Sequence, residues 1–324
     1  MERTSGSPQY FINFNHRQVV SIPGAYITIW QMKEKAYSIL GIYPSTWQLL
    51  RFHFSFFLMP VYWFALTQIT QIDWSRALLI FFILHFLVYP SSNGYNSYMD
   101  KDQSSIGGLK SPLQPTNQLF YMSIIMDLLS ITLGLIISPY FSAGVLAYIL
   151  ASRAYSYRGI RLKKFPILGY LTVVVFQGAV SFWLVYYGAN KILNLQLPWL
   201  PMLTSSLLVG GFYPLTQIYQ HEEDMKDGVK SISAMLGIRG TFIFSMIIYT
   251  VAFLCLAYHF ISNLEEQEFF VLATCMVPII VYFLGWAMKS WKSARAANFE
   301  NTMKMNIIAS CCTNLGFIVV LLMK

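Results

Sequence analysis

Apolar residues run through this chain in long, nearly uncharged blocks separated by short polar stretches. Nine blocks are long enough to read as helices crossing a bilayer: residues 50–70, 76–92, 117–138, 139–154, 166–187, 197–219, 240–261, 268–288 and 304–323. A spanning helix needs about 20 mainly apolar residues. Strands of a membrane barrel would instead alternate polar and apolar positions over about ten residues, and these blocks do not alternate. The pattern predicts one all-α membrane domain, residues 46–324, with nine transmembrane helices around a central cavity. Residues 1–45 are polar and mixed. They predict a cytoplasmic or interfacial lead-in, in which Trp30, Tyr37, Tyr43 and Trp47 suit the headgroup zone. Met1 to Pro23 does not read as a cleaved signal.

Composition agrees with this pattern. The chain is 56% hydrophobic and 11% charged, with a mean hydropathy of +0.51. Cys255, Cys275, Cys311 and Cys312 fall inside the apolar blocks without metal-ligand spacing. They read as small buried hydrophobes and not as a disulfide framework.

Charge sets the orientation, because lysine and arginine collect on the cytoplasmic side. Basic residues crowd residues 1–51 and the polar stretches after blocks two, four, six and eight. Arg76, Lys191 and Lys324 alone fall on the other face. With nine crossings every rich stretch lies on one side, so the N-terminus and the cavity mouth are expected to face the cytoplasm. The net charge of +8 is then a matter of orientation and anionic ligands, with no case for nucleic acid.

The carboxylates are concentrated on that same side. Six of the 14 acidic residues lie in two windows, Asn96 to Asp102 and Gln220 to Gly228. If residues 96–104 are helical, Asn96, Asp100 and Ser104 share a stripe, and Asp102 points elsewhere, about 200° from Asp100. In the second window Gln220, Glu223, Asp224 and Asp227 form one continuous stripe. Carboxylates so close repel one another unless a cation lies among them, and hard oxygen ligands suit Mg²⁺ together with substrate phosphate. The alternative is a pair of solvated helix ends. A third stretch, Tyr155 to Lys164, brings Arg158, Arg161, Lys163 and Lys164 to the same face, where they anchor the helix and can bind phosphate oxygens.

Together these three stretches resemble the UbiA family of intramembrane prenyltransferases. That family carries N-D-x-x-D-x-x-x-D after helix 2 and D-x-x-x-D after helix 6, the latter followed by a Gly, a basic-Ser/Thr pair and Leu-Gly. A Tyr-Ser…Arg-Leu-Lys stretch follows helix 4. Here they correspond to Asn96–Ser104, to Gln220–Gly237 with Gly228, Lys230-Ser231 and Leu236-Gly237, and to Tyr155–Lys163. The similarity covers about residues 45–324. Ser97, Ser104 and Gln220 stand where the family has aspartates, so Asp100 and Asp224 alone match. Asp102, Glu223 and Asp227 lie within a turn of the lost positions.

The resemblance implies transfer of a polyprenyl group from its diphosphate to a lipophilic acceptor, in contact with membrane lipid and assisted by Mg²⁺. It implies metal contacts from Asn96, Asp100, Gln220, Glu223, Asp224 and Asp227. Diphosphate contacts would come from Arg158, Arg161, Lys163, Lys110 and Lys230, and Tyr155 would join Asp100, Asp224 and Arg161 in catalysis. A membrane terpene cyclase, which needs no acceptor, and a non-catalytic prenyl-lipid binder are the alternatives. Asp127, inside the third block, reads either as a cavity residue or as a buried helix–helix partner. His53 and His85 read as packed side chains. Asn93 extends the Asn96 stripe, and His221 adjoins the acidic one.

Overall fold

The computed structural model describes residues 41–324 in full and, before them, the backbone of three strands. These are β1 (Tyr10–Asn13), β2 (Arg17–Ile22) and β3 (Ala25–Thr28), an antiparallel meander in which Ile22 pairs with Ala25. The lead-in thus contains a small sheet that the polar, mixed composition did not announce. Trp30 and Tyr37 lie outside the described residues.

The rest is helical: α1 (Pro44–Thr67), α2 (Trp74–Asp100), α3 (Asn117–Ile137), α4 (Pro139–Ser156), α5 (Pro166–Ala189), α6 (Trp199–Gln217), the short α7 (His221–Lys226), α8 (Ile232–Ser262), α9 (Glu266–Lys292) and α10 (Phe299–Met323). Among the described residues, then, nine helices are long. Seven of these are long and apolar enough to cross a membrane; α4 and α6 fall outside that group. Most boundaries lie within a few residues of the apolar blocks. The largest extensions are two: α2 continues through a polar stretch to Asp100, and α8 begins at Ile232, with a break at Gly237 (φ 68°) before its long apolar run.

Three further long helices are irregular. In α1, Arg51 at φ 50° separates the helix Pro44–Leu50 from a 3-10 turn, Phe52–Phe57. α2 and α5 widen into π-helix at Ile83–Val88 and Val174–Val180, a form that is rare and frequent at functional sites. In α5 the widened turn presses Gly178 on α6. A Cβ there would lie 2.5 Å from the Ser206 Cα, and Ser206 Oγ accepts the Ala179 N–H at 3.0 Å. The serine supplies a partner where the regular ladder loosens, as backbone groups away from water require.

The ring of helices closes on itself. Phe64 of α1 stacks on Phe317 of α10 at 4.8 Å and meets Phe182 of α5 edge-on at 5.1 Å. All three rings are fully buried. On the other flank, Asp127 of α3 is ion-paired with Arg153 of α4, and Ser91 of α2 bonds to both. The Arg153 guanidinium lies 4.1 Å over the Tyr95 ring. Asp127 is therefore the buried helix–helix partner and not a cavity residue. His85 is packed among Tyr62, Phe81 and Tyr89. The four cysteines are free, but none is fully buried as expected: Cys255, Cys275 and Cys312 are half-buried and Cys311 is exposed.

The Asp127–Arg153 pair yields a stability test. Breaking one side of a buried pair strands a charge and costs on the order of 3–5 kcal/mol, whereas removing both charges is far less costly. Arg153→Met should lower the melting temperature in detergent, and Asp127→Asn on top of it should restore most of the loss. A double variant melting no higher than Arg153→Met would refute a net role for the pair.

Candidate functional site

A cavity of about 520 Å³ runs down the middle of the ring. Its polar end is lined by Asn96, Asp100, Asp102, Lys163, Glu223 and Asp224. Its blind end is lined by Phe64, Leu256, Met276 and Phe317.

Two local breaks in regular structure build the polar end. α2 stops at Asp100 because Lys101 takes a left-handed conformation, φ 56°, and returns its N–H to Ser97 O at 3.0 Å. The chain then doubles back, and Asp102 faces the cavity with Asp100. The expectation that Asp102 points away assumed a helix through Ser104, and the αL residue overturns it. The following loop roofs the mouth. Gln220 Nε2 donates to Ser105 O at 3.1 Å, Arg51 Nη1 to Gly107 O at 3.2 Å, and His53 bonds Gly108 O at 3.2 Å.

The second window is less regular than its spacing predicts. α7 is six residues long and ends before Asp227; Gly228 follows at φ 69°. Glu223 and Asp224 line the cavity, but Asp227 turns outward, so the four-residue stripe is broken. Asp227 is ion-paired with Arg161 and lies 3.6 Å from Arg158. Gln220 ties the roof down through its amide. His221 bonds Ser233 Oγ at 2.8 Å, and Ser233 bonds Thr241 at 2.9 Å, so it braces α7 against α8. Burial pushes the His221 imidazolium down from its usual range.

The cations divide into those inside and those outside. Lys163 Nζ bonds Asp100 Oδ2, which also accepts from Asn96 Nδ2 at 2.9 Å. Arg161 reaches two loops at once: it holds the Asp227 carboxylate and carbonyl, the latter at 3.1 Å, and lies 3.6 Å from Asp100 Oδ1. Arg158 Nε donates to Met99 O at 2.8 Å. Lys110 and Lys230 do not reach the cavity. Lys110 pairs with Glu300 at 2.8 Å on the outside, and Lys230 is exposed.

Arg51 was missed as a site residue. It is buried, lines the cavity, and donates also to Asn93 O at 3.2 Å. Its one sequence signal was an arginine at the head of a Phe-rich block, which also fits a membrane-edge anchor. Tyr155 lines the cavity as expected and bonds Tyr213, whose hydroxyl accepts from Gln217 Nε2 at 2.9 Å.

Electrostatically the mouth is unfinished. Among the described residues the Asp102 and Asp224 carboxylates have no hydrogen-bond or ion-pair partner. Burial, reinforced by neighbouring aspartates, pushes Asp224 up to about 7 and Asp102 up to about 6. Asp100 Oδ1 is buried without a hydrogen bond. No three His, Cys, Asp or Glu groups among the described residues gather closely enough to ligate a metal ion by themselves. A cation here needs further oxygens from a ligand.

The model of the UbiA prenyltransferase family matches residues 57–308. A UbiA homolog from Archaeoglobus fulgidus bound to DMAPP and Mg²⁺ superposes with a TM-score of 0.63 at 19% identity, covering 86% of this chain and 99% of that one. Digeranylgeranylglyceryl phosphate synthase gives 0.57 at 20% identity, covering 86% and 98%. The apo UbiA homolog from Aeropyrum pernix K1 gives 0.58 at 17% identity, covering 82% and 97%. At these identities the superpositions show the fold. The comparison with curated proteins found no match.

Arg161 is the strut of the mouth, and its removal should be visible without any substrate. Arg161→Met should raise hydrogen exchange at the Asp227 and Val229 amides while leaving the centres of α8 and α10 protected. Unchanged protection at residues 226–230 would show that the arginine does not hold that loop.

Proposed function

Since the chain belongs to the UbiA prenyltransferase family, we propose that it moves a polyprenyl group from a prenyl diphosphate to a lipophilic acceptor within the membrane. The observation that carries this reading is the pair of unpartnered carboxylates, Asp102 and Asp224, half-buried at the mouth of an aromatic-floored cavity beside Lys163 and Arg51. A soluble-facing helix end would have no reason to bury uncompensated acids.

The donor set fits a hard divalent cation: all oxygen, ionisable, and short of counter-charge. Asp102 and Asp224 would share Mg²⁺ with oxygens of the bound diphosphate, with Asp100, Asn96 and Glu223 around them; Gln220 and Asp227 are engaged elsewhere. When bound, Mg²⁺ supplies positive charge to the diphosphate oxygens. The Archaeoglobus relative holds DMAPP and Mg²⁺ together, as does the same protein with GPP.

The chain's own residues account for the remaining steps. Lys163 and Arg51 face the cavity and would meet diphosphate oxygens through charge-assisted hydrogen bonds. Arg158 and Arg161 act one layer back, holding Asp100 and Asp227 in place. The C1–O bond breaks, and the diphosphate leaves with the electron pair. Phe54, Phe57 and Tyr155 line the cavity and present π faces to the allylic cation. The roof residues Ser105 to Gly107 keep water from quenching it. The acceptor then bonds to C1 and gives up its proton. The Tyr155–Tyr213–Gln217 chain offers polar groups to orient that acceptor.

The same reading keeps nine crossings, a lead-in over residues 1–45, a catalytic domain over 46–324, and a cytoplasmic N-terminus and mouth. The clustering of basic residues on the mouth side supports that orientation.

Purified protein in vesicles, given a prenyl diphosphate and lipid extract, should release diphosphate only with Mg²⁺ and acceptor present. Asp102→Asn and Asp224→Asn should each slow release by about a hundredfold, roughly 2.7 kcal/mol of transition-state stabilisation. Hydrocarbon formed without acceptor, or near-normal rates in both variants, would overturn the assignment.

Mg²⁺ dependence should also carry a pH signature. Without metal the Asp224 carboxyl titrates at about 7 and Asp102 at about 6. Ligation needs both ionised, so protons compete below neutrality. The Mg²⁺ midpoint should fall as pH rises from about 6 to 8, and Asp224→Asn should flatten that slope. A pH-independent midpoint in the unaltered protein would remove these two acids from the metal site.

A further inference from the structure

The cavity has walls of two kinds. α4 lines it with Tyr148, Ser152, Tyr155 and Ser156, whose spacing makes one helical stripe. α2 lines it with Ser92, Asn93 and Asn96. The two stripes meet in rungs one turn apart. Asn96 Nδ2 donates to Ser156 Oγ at 3.1 Å, and the Ser92 and Ser152 hydroxyls share a hydrogen bond at 2.5 Å. A further turn down, the Tyr89 and Tyr148 rings lie 5.8 Å apart. From Ser156 to Tyr148 the stripe descends about 12 Å at 1.5 Å per residue. α5 joins this wall through its widened turn: Gln177, inside the π-helix Val174–Val180, lines the cavity and bonds the Tyr148 hydroxyl. The walls made by α1 below Arg51 and by α9 are apolar among the described residues, with Phe57, Val61, Phe64, Met276, Ile279 and Phe283.

Contact between helices explains the serines, because small hydroxyl residues hold helices together in lipid. It does not explain Asn93. This residue is half-buried and lines the cavity. Among the described residues its side-chain amide has no hydrogen-bond partner; its backbone carbonyl alone is engaged, by Arg51. A free amide about 4.5 Å deeper than Asn96 requires polar atoms from whatever fills the cavity. A hydrocarbon tail has none, and the α1 and α9 walls suit it better. The charge along the polar wall is as specific as its hydrogen bonding. Among the described residues the charged groups lining the cavity are all at its mouth: Arg51, Asp100, Asp102, Lys163, Glu223 and Asp224. Lys163 bonds Asp100, and Arg51 bonds the Gly107 and Asn93 carbonyls; what remains of their charge meets the diphosphate in the reading above. No cation is left for a second anion, and an unpaired carboxylate against the α2–α4 wall is costly.

We infer that the α2–α4 wall, with Asn93 and Gln177, seats the acceptor and selects one that is uncharged and carries a hydroxyl group. The inference rests on the prenyl-transfer reading above and adds the acceptor's chemical class to it. The wall begins at Asn96, which bonds Asp100 at 2.9 Å. A hydroxylated head seated on it therefore lies next to the diphosphate end of the donor, while the donor's tail takes the apolar side. The Tyr155–Tyr213 pair forms the upper edge of the seat, and Asn93 and Gln177 form its base.

Binding separates the classes without requiring turnover. The probes are para-hydroxyphenylacetamide and para-hydroxyphenylacetate, which share ring and hydroxyl and differ in charge. Each is titrated by equilibrium dialysis into the full chain in detergent, loaded with Mg²⁺ and a prenyl thiolodiphosphate that resists cleavage. The amide should bind at least about tenfold more tightly than the acid. Asn93→Leu and Gln177→Leu should each weaken the amide at least about fivefold. Phenylacetamide, which lacks the hydroxyl, should show a similar loss on the unaltered protein. Affinity for the thiolodiphosphate should stay unchanged in both variants, which also shows that they fold. An acid that binds as tightly as the amide, an amide that does not bind, or variants that leave its binding unaltered would overturn the inference. Photolabelling of the unaltered protein gives a reading independent of the variants. An uncharged phenol bearing a diazirine should label residues 89–96 or 148–156, and labelling confined to α1 or α9 would overturn the seat. If the thiolodiphosphate fails to bind with Mg²⁺, the proposed function fails, while the label still reports whether this wall takes an uncharged phenol.

Discussion

Compensation of carboxylates in a place with little water governs this structure. Asp100 and Asp102 at the end of α2, and Asp224 and Asp227 around α7, converge where an isolated ionised group is costly. Arg161 and Lys163 make that convergence tolerable for half of them. Arg161 reaches Asp227 and approaches Asp100, and so joins the segments after α2, α4 and α7 into one unit. Asp102 and Asp224 are left over. Their high proton affinity is the consequence of a cluster short of positive charge. The polar mouth is thus two structures in one: a closed set of ion pairs that fixes the loops, and an open pair of acids available to a cation and its ligand.

Backbone irregularity supplies the geometry that regular helices cannot. Among the described residues four non-glycine positions have positive φ, and three of them, Arg51, Lys101 and Arg161, surround the mouth. Such conformations cost of order 1 kcal/mol or more each and persist where surrounding contacts hold them. Arg51 and Lys101 sit where the chain leaves a helix axis at once, and Arg161 opens the 3-10 turn Leu162–Lys164. Lys101 returns Asp102 to the cavity, Arg161 aims a guanidinium between two loops, and Arg51 sets a buried cation into the wall. The π-turns of α2 and α5 belong to the same class of device, with Ser206 providing the partner that lets α5 widen against α6.

These irregularities also mark the limit of what can be read from the chain alone. Apolar block length located the seven helices that are long and apolar enough to cross a membrane, because hydrocarbon thickness imposes a length that any such sequence must meet. Spacing put Asn96 with Asp100 and Glu223 with Asp224, and the charge pattern put Lys163 on the same face; all five line one cavity. It failed at Asp102 and Asp227, where a helical period was carried past the point at which the helix ends. Lys110 and Lys230 were credited to the cavity through the family resemblance; here Lys110 pairs with Glu300 and Lys230 is exposed, and neither lines the cavity. Arg51 was invisible as a wall residue for the opposite reason: an arginine at the head of an apolar block looks the same in sequence whether it points to headgroups or inward.

The stack of Phe64 on Phe317 has a meaning for biogenesis. Its partners are about 250 residues apart, so at roughly 5–20 residues per second the first helix waits on the order of tens of seconds before the last one reaches it. Until then the ring is a trough, with its aromatic floor against lipid and its acids without the enclosure that raises their proton affinity. Insertion can proceed helix by helix, but the closed cavity comes into being in one late event.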